Sequence, residues 1–429
     1  MKLFGGSKGA RTGGAAARTA AAPARRSLKP LAIVLACLLF IEACYFICVY
    51  SQNSFITKWR NIYITTAMET LSHQWLATAI IPEDIIQEVV GRREDAMAAQ
   101  VDIESGWTKD ETNELPSIQE FETDVTVVSD QEADEEAQKS SFYSLFHELD
   151  QATFEAYLNK NPGVLDNGWD QLQINEAGLD DEGTSIETIY GDQVLAIDVP
   201  NKILLIRVKG DGYRGILAIA KDPARLSLQE SAQLGTAGQT VAQIATRTEG
   251  VLAMTGSGFI DPDGNGNGGI LSGYAMCHGI PLGQHAAKKG DKRLELHEDN
   301  LMYIYDTSSP VGETCTDAVE WQPAVIIDGQ DVLGYGWDGL QPRAIIGQSS
   351  KYEVMMLIIE GRAPIKGILG ITLYDCADIL LEYGCMQAMN LDGGTSAIMW
   401  YNGETITNCS NTKLKDGRPL PSAFVYGAK

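Results

Sequence analysis

The sequence predicts an α+β protein: a mixed β-sheet domain with flanking helices, preceded by a single transmembrane helix and a helical, acidic stalk. Three observations predict it. Residues 31–50, LAIVLACLLFIEACYFICVY, run apolar for twenty positions with Glu42 as the one charge, long enough to span a bilayer as a helix. Short β-like runs bounded by turn residues begin at residue 193. Ile371–Tyr383 (ITLYDCADILLEY) has helical periodicity between two strand-like runs, which segregates helix from strand. At 429 residues the chain exceeds the usual single domain, so one core of about 200–250 residues with additional parts is expected.

Residues 1–29 hold seven Lys/Arg and no acid in an Ala/Gly-rich background, a basic tail expected to be disordered. Positive charge on this flank predicts a cytoplasmic N-terminus, an anchor over 30–50 and everything after about residue 51 outside the cytoplasm. A cleaved signal peptide competes with this reading. The apolar run, however, is longer than an ordinary signal core, and no small-x-small site follows it. Residues 41–44, IEAC, distantly resemble a lipoprotein cleavage box at Cys44, but Glu42 and the apolar residues after Cys44 oppose that.

With tail and anchor set aside, 26 basic residues face 56 acidic ones. Nucleic-acid binding through a basic field is excluded, and the acidity reads as solubility. Cys37, Cys44 and Cys48 lie in the apolar run, and Cys277, Cys315, Cys376, Cys385 and Cys409 beyond it. Export permits disulfides, but five is odd, so at least one thiol stays free or pairs between chains; with no CxxC pair, a zinc site is not expected.

Residues 52–100 read as helical up to a break at Pro82. Residues 103–140 are acidic and poor in apolar side chains, densest at Asp130–Glu136, and 142–160 adds another helix. The stalk is thus expected over 51–180 and the main domain over 181–429. In the latter, 193–199, 202–210 and 215–221 read as strands. Near the C-terminus the order is strand 353–361, helix 371–383, strand 386–391, the turn Asp392-Gly393-Gly394, and strand 397–404.

The stretch Asn390-Leu391-Asp392-Gly393-Gly394-Thr395-Ser396 puts a carboxylate before two glycines and two hydroxyls. Paired glycines let the backbone approach a ligand; the plain alternative is a hairpin turn. Around it in sequence stand Arg343-Ala-Ile-Ile-Gly347, Glu360-Gly361-Arg362, Gly370-Ile371-Thr372-Leu373, Gly417-Arg418-Pro419 and Ser422-Ala-Phe-Val425. In order and spacing these resemble the phosphodiester glycosidase family, over about residues 185–427. The resemblance implies a hydrolase acting on sugar–phosphate linkages. Two departures stand out. Met254-Thr255-Gly256-Ser257-Gly258-Phe259 replaces an N-G-G-F-F-like segment, so Thr255 or Ser257 takes over the asparagine's place. Glu360 stands where an aspartate is usual.

Ordinary glycosidases set two carboxyls about 5–5.5 Å or about 6.5–9.5 Å apart. Asp392 and Glu360 are the candidate pair. Arg343, and after it Arg418, are candidates to hold phosphate, since a guanidinium matches its oxygens bidentately. Asn390, Gly393, Gly394, Thr395, Ser396, Thr255, Ser257 and His278 complete the expected substrate contacts. Asp261, Asp263, Asn265 and Asn267 alternate as in the first half of a calcium loop, but Ser272 stands where the bidentate Glu belongs. Structural calcium is therefore an option, and no cofactor is required. The expected partners are a phosphate-linked saccharide and, through residues 31–50, a membrane. The competing function is a saccharide-binding or assembly module on the same fold.

Overall fold

A computed structural model describes residues 29–70, 73–108, 130–261, 266–284 and 290–429. They contain eight α-helices and three β-sheets. Residues 1–57 and 58–429 form two units. In the first, helix Lys29–Tyr50 is long and apolar enough over Leu31–Tyr50 to cross a membrane, with mean hydropathy 2.6, and a signal sequence would have the same properties.

The second unit is built on a nine-stranded sheet. Its spatial order is Gln173–Asn175, Gln193–Asp198, Ile203–Gly210, Tyr213–Ala220, Val354–Ile359, Ala344–Ser349, Cys385–Asn390, Ala324–Ile327 and Gln330–Asp331. All neighbours pair antiparallel, as do the strands of both five-stranded sheets. The sheet expected to be mixed is therefore antiparallel among the described residues.

Both faces of the large sheet are covered, which explains why VMMLII and AIIGQS are buried at every position instead of alternating. On one face Ile206, Leu217, Leu357, Ile345 and Ala388 pack with Leu373, Cys376 and Leu380 of helix Leu373–Glu382. On the other, Leu205, Ile216, Ile358, Ile346 and Met389 meet Met254, Met399, Phe424, Leu294 and Val319 of the smaller sheets. Helix Leu373–Glu382 starts where the Thr372 side chain accepts the Asp375 N–H, and stops where Gly384 takes φ +75°.

The stalk expected over 51–180 is not confirmed: residues 109–129 lie outside the described residues, and described residues from 58 onward belong to the same unit as the sheets. Phe142, Phe146, Phe154 and Trp169 are buried in the same core as helix Leu373–Glu382, with Phe142 and Phe154 stacked at 5.0 Å between centroids. Residues 100–107 run along the sheets: Gln100 Nε2 donates to Ala324 O (3.0 Å), and Trp107 Nε1 to Met302 O (2.9 Å). Acidic residues at 130–136 dominate the composition there, while widely spaced aromatics supply the burial. Buried Lys221 fastens this segment, donating to Glu148 Oε1 (2.5 Å) and Glu353 Oε1 (2.8 Å). All eight cysteines are unpaired.

Candidate active site

Strand Cys385–Asn390 belongs to the large sheet and strand Met399–Tyr401 to a small one. The Asp392 loop therefore passes between sheets and is not a hairpin turn. It is fastened on both sides: Leu391 N–H donates to Ala344 O (2.8 Å) and Gly394 N–H to Pro342 O (3.1 Å). Gly394 has φ +61°, which favours glycine. Gly393 is needed for space, because a Cβ there would lie 2.5 Å from Pro342 O. Gly393→Ala is expected to cost about 1–3 kcal/mol through overpacking and to displace half-buried Asp392, lowering turnover as well as the melting temperature. Unchanged turnover with a lowered melting temperature would separate the glycine from the site.

Thr255, the last residue of strand Leu252–Thr255, reaches this loop. Thr255 Oγ1 donates to Ser396 O and accepts from Ile398 N (3.3 Å), so it holds the loop in place. Ser257 Oγ lies 2.6 Å from Ser422 Oγ. Arg418 closes the opposite side: its N–H donates to Thr395 O (3.4 Å), its Nη1 pairs with Asp261 Oδ2 at 2.7 Å, and its guanidinium stacks 4.5 Å above the Phe259 ring. Burial raises the Asp261 carboxyl, but Arg418 and the Gly266 N–H outweigh it and hold the group below its usual range.

Of the four residues read as a possible calcium loop, Asp263 and Asn265 lie outside the described residues. Asp261 is committed to Arg418, and Asn267 accepts from Gly269 N and donates to Thr236 O. The geometry therefore does not favour a cation at Asp261. Glu295, His297 and Cys315 have ligand atoms within 4.8 Å of one another, yet Arg293 Nε at 2.6 Å already supplies Glu295 with its positive charge.

Glu360 is 1% exposed. Its Oε1 accepts from Arg207 Nη1 (3.1 Å), and its Oε2 from Asn408 Nδ2 (3.0 Å). Burial raises the Glu360 carboxyl and lowers the Arg207 guanidinium from their ordinary values. Through Asn408 this buried pair steadies the 408–410 segment, where Ser410 Oγ donates to Gly394 O (3.0 Å).

Arg343 and Ile359 exchange both backbone hydrogen bonds (3.3 and 2.8 Å). Strand alternation then puts Arg343 on the helix-covered face and Glu360 on the other. Arg343 Nη2 donates to Gly339 O (2.8 Å) and lies 3.3 Å from Glu69 Oε2. His278 is elsewhere: Nε2 lies 2.9 Å from Gln229 Nε2, and the residue lines a separate cavity of about 580 Å³ with Arg225, His297 and Asp317.

Three buried oxygens have no hydrogen-bond partner among the described residues: Asn390 Oδ1 and Ser396 Oγ, which flank Asp392 in the chain, and Gln322 Oε1. Asn390 Nδ2 donates to the main-chain O of Gln322 (2.7 Å). Sequence reasoning did not find Gln322, Asn408 or Glu69. No local signal marks them, since each reaches the site across the fold.

Residues 248–426 match the family model described as phosphodiester glycosidase. SPbeta prophage-derived uncharacterized protein YomE of Bacillus subtilis (strain 168) is 26% identical over 185 residues, 40% of this chain and 28% of that protein. The alignment thus spans under a third of that relative. Among solved structures, the catalytic domain of zebrafish N-acetylglucosamine-1-phosphodiester α-N-acetylglucosaminidase aligns at 15% identity with TM-score 0.43, over 53% of this chain and 82% of that one. A hypothetical protein from Synechocystis aligns at 12% with TM-score 0.39, over 55% and 63%. The loop carrying Asp392 and the segments of Thr255, Arg343 and Arg418 that surround it all fall within the stretch, 248–426, that matches the phosphodiester glycosidase family.

Proposed function

We propose that this chain is a membrane-anchored, extracytoplasmic glycosidase that hydrolyses a sugar–phosphate linkage in a surface or exported saccharide. The observation that carries the reading is the half-buried Asp392 carboxylate on a loop held between two sheets, flanked in the chain by the unpartnered buried Asn390 Oδ1 and Ser396 Oγ. Buried acceptors without donors are rare and costly, and sugar hydroxyls supply such donors. Localisation rests on the apolar helix Leu31–Tyr50 and its basic flank.

In this mechanism the bond between the anomeric carbon and the phosphoryl oxygen breaks, and its electron pair leaves with the phosphomonoester. Water supplies the new hydroxyl on the sugar, and its proton goes through Asp392. A phosphomonoester is a far better leaving group than a sugar alkoxide, so a strong second acid is not required. This suits a site in which Glu360 is committed to Arg207 and Asn408. That same commitment favours, as a second reading, a saccharide-binding module without turnover.

Purified chain offered a panel of glycosyl phosphodiesters decides between them: release of reducing sugar supports hydrolysis, and binding alone supports the module. Arg343→Lys, which keeps the charge and loses the fork, should raise KM on the phosphodiester roughly tenfold or more and leave a neutral aryl glycoside almost unaffected. Equal losses on both substrates would remove Arg343 from phosphate binding.

A further inference from the structure

Glu69 follows helix Ser54–Met68, far outside the family-matched segment. Its Oε2 lies 3.3 Å from Arg343 Nη2 and its Oε1 3.3 Å from Arg93 Nη1. Arg362 completes the group: Nη1 is 3.3 Å from Thr70 Oγ1, the next residue, and Nη2 donates to Leu340 O (2.8 Å). Two guanidiniums from distant parts of the chain thus share one carboxylate, and a third is held at the neighbouring Thr70. Among the described residues, Glu69 is the one carboxylate within ion-pair distance of Arg93 and Arg343, and none is within that distance of Arg362.

The pairing is poor in two ways. Good charge-assisted N–H···O bonds are about 2.7–2.9 Å, whereas Glu69 is stretched between two arginines at 3.3 Å from each. Arg343, with a side chain 8% exposed, also keeps a buried Nε with no partner among the described residues, and Arg93 Nε is in the same state. Burial, then the neighbouring positive charge of Arg343, pushes the Arg362 guanidinium down. Three positive charges against one carboxylate, with the Nε donors of Arg93 and Arg343 unused, ask for an anion richer in oxygens than a carboxylate. Gly339 leaves room beside it, since a Cβ there would stand 2.6 Å from Glu69 Oε2.

We infer that Arg93, Arg343 and Arg362 form a binding site for a phosphate ester, which must displace the Glu69 carboxylate to enter. As a subsite for the substrate's phosphodiester it rests on the proposed function; as an anion site it stands on the arginines alone. A tetrahedral phosphate meets two or three guanidiniums at once, where one carboxylate spans two of them loosely. Ligand entry is coupled to withdrawal of the end of helix Ser54–Met68, because Glu69 directly follows that helix.

The test is calorimetric titration of the full chain in detergent with inorganic phosphate, for wild type, Glu69→Gln, Glu69→Asp and Arg93→Met. Glu69→Gln removes the competing charge and should bind phosphate about tenfold tighter than wild type, while Arg93→Met should bind about tenfold more weakly. Glu69→Asp keeps the charge on a shorter arm, so it covers the case in which Glu69→Gln does not fold, and should bind a few-fold tighter. Equal affinity in wild type and the Glu69 variants, or no phosphate binding by any of them, overturns the inference. Kinetics separate it from the functional reading. If wild type cleaves glycosyl phosphodiesters with a KM that the Glu69 variants leave unchanged, only the inference fails. If none cleaves yet the Glu69 variants gain phosphate affinity, only the functional reading fails.

Discussion

Asp392→Asn is expected to fold as wild type does and to lose on the order of a hundredfold or more of turnover on a glycosyl phosphodiester, as befits a lost proton-transfer group. Asparagine keeps the size of the side chain. The loop's shape is set by Gly393, by the Gly394 N–H on Pro342 O and by Thr255 on Ser396 O, none of which uses the carboxylate charge. Glu360→Gln is the informative contrast. It leaves Arg207, fully buried, facing a neutral amide, so its main effect should be a lowered melting temperature. Circular dichroism and steady-state kinetics on both variants check the division of roles. A collapse of turnover at Glu360→Gln with intact folding, and little change at Asp392→Asn, would exchange them.

Lys221→Met should be the most damaging substitution for stability, at about 3–5 kcal/mol, because it leaves Glu148 and Glu353 buried without their shared cation. The loss should also free the segment holding Phe142 and Phe146 from the sheet. Burial raises the Glu353 carboxyl, but Lys221 and His147 outweigh it and hold the group well below its ordinary range. A depressed carboxyl contributes stability that is present above about pH 4.3 and lost as pH falls through the lowered value. Burial lowers Lys221, but Glu148 and Glu353 outweigh it and the ammonium is raised. Its contribution is present below about pH 10.4 and lost as pH climbs through the raised value. Wild type should therefore be most stable between those limits, and the gap to Lys221→Met should narrow in acid. Urea denaturation at several pH values measures this; a gap that stays constant into acid would show that the ion pairs do not set it.

Elements with a strong local pattern were legible in the sequence. Apolar runs at 193–199, 202–210 and 353–361 became strands within a residue or two of their expected ends, and the Thr372 cap with Gly384 bounded the helix between them. What was not legible depends on long-range pairing. Strand Val354–Ile359 lies between Tyr213–Ala220 and Ala344–Ser349, so antiparallel order throughout could not be read from neighbours. Phe142, Phe146 and Phe154 sit in an acidic, polar background, and only the sheet they cover reveals them as core. For the site, the Asp392 loop was visible because two glycines in tandem have a backbone meaning. Glu69 was not, since 274 residues separate it from Arg343.

The proposed reaction breaks the bond between the sugar and the phosphoryl oxygen. Hydrolysis of a glycosyl phosphodiester in heavy-oxygen-labelled water, with mass analysis of both products, tests this directly. The expected result is the label in the anomeric hydroxyl of the released sugar, an unlabelled phosphomonoester, and release slowed about a hundredfold or more with Asp392→Asn. Label in the phosphate would mean attack at phosphorus and a phosphodiesterase, and would contradict the assignment of Asp392 to chemistry at the anomeric carbon.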